Sequence, residues 1–234
     1  MFESVLSMRW DDVLFAHWPV ESATVASRLP PGVSVDTFDG DAYLGVVGFE
    51  MQDIGPRGVP VGLSFPELNL RTYVEVDGRP GIYFFNLDAD DPLGVFVAQK
   101  LFRLPYYRAR MSVTRTGDEI RLQSRRRGRG GSAAFDATYA RAGELHRPEP
   151  GTLEHFLTER YRFYTADDTG RLYHGDIRHD PWQLADATAT IRENELFTVN
   201  GFETPAGDPR LTYSPGIDVT AGIVSRSERI AADQ

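Results

Sequence analysis

Lys100 is the single lysine of this 234-residue chain, and it opens the aromatic and arginine-rich stretch KLFRLPYYRARM. An amine beside apolar surface is poorly solvated, which lowers its pKa and lets it attack carbonyl carbons as a Schiff-base former. The alternative is a helix-rim side chain with its methylene stem over apolar surface and its ammonium in water. Apolar spacing predicts a helix over 92–104 with Lys100 at the border of the apolar stripe, which favours the second interpretation.

Three polar residues, Glu67, Asn69 and Arg71, alternate with leucines in the segment SFPELNLRTYV. Alternate residues of a β-strand lie on one face, so these side chains would meet a polar ligand together if that face lines a cavity. Charged groups on an inner face are costly unless they are paired or used. An ion pair between Glu67 and Arg71, on the surface or buried, is the competing interpretation.

A run of arginines occurs in QSRRRGRGG, residues 123–131. Guanidinium groups bind carboxylates and phosphates through two parallel hydrogen bonds, so the run could hold an oxyanion or nucleic acid. The glycines that follow and the lack of interleaved aromatics instead favour a solvated loop. Strand alternation would place Arg125 and Arg127 on one side and Arg126 on the other, and Arg125 is retained as a candidate ligand-binding residue.

The sequence lacks the motifs of metal sites, hydrolases and nucleotide-binding proteins. His174 and His179 flank acidic residues in HGDIRHD but lack a third convergent ligand, so we expect no metal site. Neither a GxSxG elbow nor a P-loop nor a Rossmann glycine motif occurs, which argues against hydrolase and nucleotide-dependent chemistry. We expect no cofactor.

Composition restricts the class of protein. The formal charge of -9 argues against adhesion to nucleic acid or anionic membrane, and no cysteine is present for disulfides or thiolate sites. Neither an apolar run long enough to span a bilayer nor a signal peptide is visible, so we expect a cytoplasmic protein. The acidic, lysine-poor balance fits GC-rich coding bias or high salt, and we interpret it as a halophile-like surface. A small-molecule ligand is the expected partner, and homo-oligomerisation is left open.

Strands must position most of these residues. Alternating runs with DG and GRPG punctuation predict antiparallel hairpins, with turns at 77–81 and 116–119. Helices are predicted at VESATVASRL, at 92–104 and at GTLEHFLTERYRFYT, where Thr152 is the cap and Tyr161 lies on the apolar face. No repeat or linker interrupts the chain, so a single domain over 1–234 is expected.

The ordered segments FAHWPV, SFPELNLRTYV, GIYFFNLDA, LFRLPYYRARM, GTLEHFLTERY and HDPWQL resemble the YqjF-like family of uncharacterised proteins across nearly the whole chain. That family is more remotely similar to acetoacetate decarboxylase and its relatives. The resemblance implies an α+β, mainly antiparallel fold: a closed barrel with a few flanking helices and an internal ligand cavity.

The resemblance also implies roles for individual residues. The decarboxylases carry a Lys-Lys pair after a proline turn, and alignment on Pro105 places Tyr106 and Tyr107 at that pair, with Lys100 on the preceding helix. Glu67 takes the position of a cavity glutamate. The fold of a Schiff-base enzyme is therefore expected without its nucleophile.

Two functions remain. The first is a protein that binds a small organic molecule in the barrel cavity, with Glu67, Asn69, Arg71, Tyr106 and Tyr107 at its polar end. The second is a lyase or decarboxylase acting on a small keto acid or carbonyl compound, with Glu67 as acid or base. A closed apolar pocket with an unpaired Glu67 would favour the enzyme, whereas a bidentate pair between Glu67 and Arg71 would favour binding or structure. A collapsed cavity would instead favour a structural domain that binds a partner.

Overall fold

The computed structural model describes residues 4–59, 62–91, 103–167 and 169–227. These ranges contain 13 strands and three short helices. The strands are β1 (Ser4–Val20), β2 (Ser34–Val35), β3 (Ala42–Pro56), β4 (Leu63–Val76), β5 (Arg79–Ala89), β6 (Tyr106–Thr116), β7 (Glu119–Arg126), β8 (Ala133–Arg141), β9 (Arg162–Ala166), β10 (Leu172–Arg178), β11 (Ala185–Asn194), β12 (Arg210–Gly222) and β13 (Ser225–Arg226). The helices are α1 (Ser22–Ala26), α2 (Leu153–Thr158) and α3 (Leu196–Val199).

Nine strands close into a barrel in the order β5-β6-β7-β8-β11-β12-β1-β3-β4, because β4 also pairs with β5. All neighbours in this ring are antiparallel except β5 and β6, which run parallel. The expected α+β, mainly antiparallel closed barrel with a few flanking helices is thus confirmed. Closure removes sheet edges that would otherwise expose unpaired backbone groups.

A second, smaller ring shares five strands with the barrel. Strand β9 pairs in parallel with β5, β10 pairs with β9, and a short pairing of β10 with β12 completes the circuit. The sheet β12-β1-β3-β4-β5 is therefore covered on both faces. On one face Leu68 and Leu70 join the core of the nine-stranded barrel, and on the other Val47 and Phe49 join a second core.

Burial on both faces explains the sequence of the shared strands. Residues 42–49 of β3 and 67–74 of β4 are buried without interruption. Strands covered on both faces lose the alternation of apolar and polar residues. For this reason β1 cannot be recognised as a strand from alternation in the sequence, because its segment Val13–His17 is buried throughout.

Both predicted hairpin turns are present. The turn between β4 and β5 is formed by Asp77 and Gly78, which both have positive φ, at 50° and 71°. Two positive φ values are the signature of the type I′ turn that suits a two-residue hairpin. The second hairpin turns at Gly117 and Asp118, between β6 and β7.

The predicted helices are shorter in the structure. Helix α2 begins after Thr152, whose hydroxyl accepts the amide hydrogen bond of His155 as a cap should, but it ends at Thr158. The prediction that Tyr161 lies on its apolar face is wrong, because the chain turns there into β9 and Tyr161 is 40% exposed. Pairing of β9 with two strands outweighs the local helical pattern. The helix predicted over 92–104, with Lys100, lies almost entirely outside the described residues.

No helix within the described ranges combines the length and the apolar character that crossing a bilayer requires.

Candidate functional site

Strand β4 presents Glu67, Asn69 and Arg71 to the second face of the shared sheet. Their side chains are buried, with residue exposures of 3%, 2% and 7%. All three line one cavity, while Leu68 and Leu70 between them face the other core. The strand period of two therefore acts here as the sequence predicts.

The cavity has a volume of about 450 Å³ and lies between the shared sheet and strands β9 and β10. Most of its wall is apolar and aromatic. The side chains on this wall include Trp10, Phe15, Phe49, Met51, Leu63, Phe65, Phe84, Leu104, Phe163, Ile177 and Trp182. A volume of this size, with few polar groups on an apolar wall, is typical of a site for a small organic ligand.

Glu67 and Tyr106 form a short hydrogen bond on the cavity wall. The Tyr106 hydroxyl donates to Oε2 of Glu67 at 2.6 Å, and Nδ2 of Asn69 donates to Oε1 at 3.4 Å. Burial raises the pKa of Glu67 to about 7, while these two hydrogen bonds act in the opposite direction. Burial and the neighbouring Glu67 raise the pKa of Tyr106 well above its usual value, so it remains a donor. Glu67 can therefore hold or release a proton near neutral pH.

Arg71 has no carboxylate within ion-pair distance among the described residues. Its Nη2 donates to the Leu157 carbonyl at 3.3 Å and to the Tyr73 hydroxyl at 3.4 Å, and its buried Nε has no partner. The guanidinium also lies 5.5 Å from the ring centroid of Phe15. The expected alternative of a Glu67–Arg71 ion pair is thus not what the structure shows.

The histidine beside Arg71 adds no charge. Nε2 of His17 lies 2.6 Å from the Tyr73 hydroxyl, and burial lowers the pKa of His17 well below its usual value, with Arg71 acting in the same direction. His17 is therefore neutral at physiological pH. Arg71 remains a cation among neutral groups.

Four further polar residues line the cavity that sequence reasoning did not select: Thr158, Arg160, Arg162 and His179. Each arginine has its own carboxylate: Arg160 contacts Asp36 at 2.7 Å, and Arg162 contacts Asp176 at 2.6 Å. Arg160 and Arg162 alternate with Tyr161, as residues on one face of a strand do, and this alternation could have identified them. The prediction of a helix over the segment concealed the alternation.

Two candidates lie outside the cavity. Tyr107 follows Tyr106 on β6 and so lies on the opposite face, with the Arg126 guanidinium 4.6 Å from its ring centroid. Arg125 is exposed and forms a 2.7 Å ion pair with Glu193. The prediction that these residues join the polar end of the pocket is corrected, because strand alternation turns both side chains away from it.

The arginine of the run that does turn inward is Arg126. It lies 3.0 Å from Asp88, and both side chains are 1% exposed. Burial raises the pKa of Asp88 to about 6, against the effects of Arg126 and Asn86. This pair lies on the barrel side of the shared sheet, away from the cavity.

Lys100 falls outside the described residues, so its prediction stays a prediction. Within the described part of the chain no group of three or more metal-ligating residues is clustered.

The chain is similar to known proteins in both sequence and fold. The family model DUF2071, described as an uncharacterized conserved protein, matches residues 7–218. The uncharacterized protein YqjF of Bacillus subtilis (strain 168) is 41% identical over 218 residues, which cover 92% of this chain and 89% of the relative.

Solved structures share the fold at low identity. The enduracididine biosynthesis enzyme MppR superimposes with a TM-score of 0.68 at 12% identity, covering 99% of this chain and 90% of that one. Acetoacetate decarboxylase from Legionella pneumophila gives 0.65 at 11% identity, with the same coverage. An acetoacetate decarboxylase-like enzyme from Sphingomonas wittichii RW1 gives 0.64 at 13% identity, covering 97% and 95%. At such identities the likeness establishes the fold alone.

Proposed function

Since the chain belongs to the DUF2071 family of uncharacterised conserved proteins and has the acetoacetate decarboxylase-like fold, we propose that it binds a small organic molecule in the cavity between the shared sheet and strands β9 and β10. The observation that supports this most directly is the 450 Å³ space itself, which apolar side chains leave open beside three buried polar groups. Interiors are normally packed without voids of this size. An open apolar cavity costs stability, which is understandable where a ligand fills it.

Ligand binding can be followed through the chain's own fluorescence. Trp10 and Trp182 lie on the cavity wall, while Trp18 packs in the other core against Phe197. A panel of apolar carboxylic acids, amides and ketones should contain compounds that quench tryptophan emission in a saturable way.

A variant that fills the cavity tests the location of binding. Ala221 lines the cavity, so Ala221→Phe should abolish saturable quenching while leaving the circular dichroism of the fold unchanged. The adjacent Thr220 lies on the opposite face of β12, and Thr220→Phe is the matched control. Undiminished binding by Ala221→Phe would contradict the proposal.

Proton transfer on the bound molecule is the second candidate function. It is supported by a specific observation: Glu67 is bound by Tyr106 rather than neutralised by Arg71. In the decarboxylation of a 3-oxo acid the C–C bond to the carboxylate breaks, carbon dioxide leaves and the electron pair passes to the ketone oxygen, which forms an enolate. The Tyr106 hydroxyl would donate to the enolate oxygen, and protonated Glu67 would deliver its proton to carbon. This reaction needs no Schiff base.

Glu67→Gln separates the two candidates. The amide keeps the shape and one acceptor, so a binding pocket for neutral ligands should retain part of its affinity. An enzyme that uses Glu67 for proton transfer should lose roughly a hundredfold or more in rate. Undiminished turnover in Glu67→Gln would remove Glu67 from the chemistry.

A further inference from the structure

Arg71 is a buried cation that lacks a counter-ion among the described residues and lies on the wall of an apolar cavity. Only 7% of the residue is exposed, and its two hydrogen bonds, to Leu157 and Tyr73, go to neutral oxygens at 3.3 and 3.4 Å, longer than the usual distance. Buried charges are normally paired. The other two arginines on this wall follow that rule, with Asp36 and Asp176 as their partners.

The groups nearest to Arg71 do not supply the missing charge. His17 is neutral, and Tyr73 directs its own proton to the Leu157 carbonyl at 2.7 Å. The carboxyl of Glu67 is engaged by Tyr106 and Asn69. Among the residues that the structure describes, this end of the cavity therefore carries one positive charge without a counter-ion.

The placement of Arg71 also bears on ligand length. Arg71 lies four residues after Glu67 on β4, so their Cα atoms lie about 13 Å apart at about 3.3 Å per residue. The guanidinium contacts Tyr73, which lies further along β4 and away from Glu67. A ligand that meets both groups must therefore span several carbon atoms, and the apolar side chains of the wall surround that span.

Building on the proposed function, we infer that the ligand of this cavity is an organic anion with an extended apolar body, whose carboxylate-type head binds Arg71. A carboxylate would supply the missing counter-ion and accept two charge-assisted hydrogen bonds, including one from the partnerless Nε. Its hydrocarbon part would cover the aromatic and aliphatic wall. Arg71 is then the residue that selects charge, while Glu67 meets the far end of the ligand.

Octanoate and octanamide test this inference, because they share a chain and differ in charge. Titration of wild-type protein at neutral pH, followed by tryptophan quenching or calorimetry, should show octanoate binding about tenfold or more tightly. Butyrate, with the same head and a shorter body, should bind more weakly than octanoate. In Arg71→Met the preference for octanoate over octanamide should disappear. Arg125→Gln, which removes an exposed arginine outside the cavity, should keep it.

The outcomes distinguish the inference from the function on which it rests. Equal binding of octanoate and octanamide by wild type, or an unchanged preference in Arg71→Met, would overturn the inference and leave small-molecule binding standing. If neither compound nor any member of the wider panel binds, the proposed function fails and the inference fails with it. Should Arg71→Met not fold, the wild-type comparison of the two compounds decides alone.

Ligand-free Arg71→Met gives an independent readout. Replacing an unpaired buried cation with an apolar side chain of similar length should raise the melting temperature, because no charge then remains in the interior. Residues that are kept for binding often lower the stability of a protein in this way. A lowered melting temperature would assign Arg71 a structural role and count against the inference.

Discussion

The Tyr106 hydroxyl lies 2.6 Å from Oε2 of Glu67, across two strands that are separated by β5 in the sheet order. Both residues are buried, and the carboxyl has a pKa of about 7. A carboxyl with this pKa changes its protonation state near neutral pH, where the usual glutamate is fully ionised. The hydrogen bond from Tyr106 therefore affects whether Glu67 is charged or neutral inside the cavity.

Removal of the tyrosine hydroxyl should raise the pKa of Glu67 further. The hydrogen bond from Tyr106 favours the ionised carboxylate, so Tyr106→Phe should shift its titration above about 7. Infrared spectroscopy of the protonated carboxyl band across a pH series, with Glu67→Gln to assign the band, measures the shift. Tyr107→Phe is the matched control, because Tyr107 lies on the other face of β6. An unchanged midpoint in Tyr106→Phe would show that the contact does not control the charge of Glu67.

Stability should fall as pH rises through the range in which Glu67 titrates. The folded pKa of about 7 lies above the ordinary 4.5, so the folded state binds the proton more tightly and is favoured at low pH. Between these values the contribution lost is roughly 3 kcal/mol, at about 1.4 kcal/mol per unit. Asp88 changes stability in the same direction, so the quantity to measure is the difference between wild type and Glu67→Gln in urea unfolding at each pH. A constant difference would contradict the prediction.

Lys100 should not form a Schiff base. Borohydride reduction in the presence of acetoacetate or pyruvate should leave the mass of the protein unchanged, because the resemblance places tyrosines where the decarboxylases carry their lysine pair. Lys100→Arg should change stability by less than about 2 kcal/mol, since on the helix that the sequence predicts both side chains can extend from the rim to water. A reduced adduct mapped to Lys100 would restore the nucleophile and with it the Schiff-base mechanism.

The buried pair Asp88–Arg126 should be sensitive to the loss of one partner and tolerant of the loss of both. Asp88→Asn leaves the Arg126 charge uncompensated and should destabilise the fold by about 3 to 5 kcal/mol. The double variant Asp88→Leu with Arg126→Met should recover most of that loss, because neither charge then remains in the interior. Urea unfolding of the three proteins forms the measurement, with the exposed Arg125→Gln as control. Equal stability of Asp88→Asn and wild type would mean that the pair is not buried in solution.

Local sequence patterns identified the hairpins and the polar face of β4 that contribute to the cavity wall. The two hairpin turns follow from glycine and aspartate at positions of positive φ, and the alternation in Glu67, Asn69 and Arg71 follows from the period of the strand. These features depend on neighbours a few residues apart. Helix α2 was found by its cap at Thr152, but its end was not, because the strand partners of β9 are distant in sequence.

The sequence by itself determined the strand-rich class, the shared face of the three polar residues and the absence of a second lysine. Which strand faces enclose the cavity was decided only by the tertiary structure. Ring closure through β5 and β12 turned Tyr106 towards the cavity and Tyr107 and Arg125 away from it, and it brought Arg160 and Arg162 to the cavity wall. It also gave Glu67 and Arg71 different neighbours. Alternation specifies that adjacent residues face opposite ways, whereas pairing between distant strands decides which of the two ways is the inside.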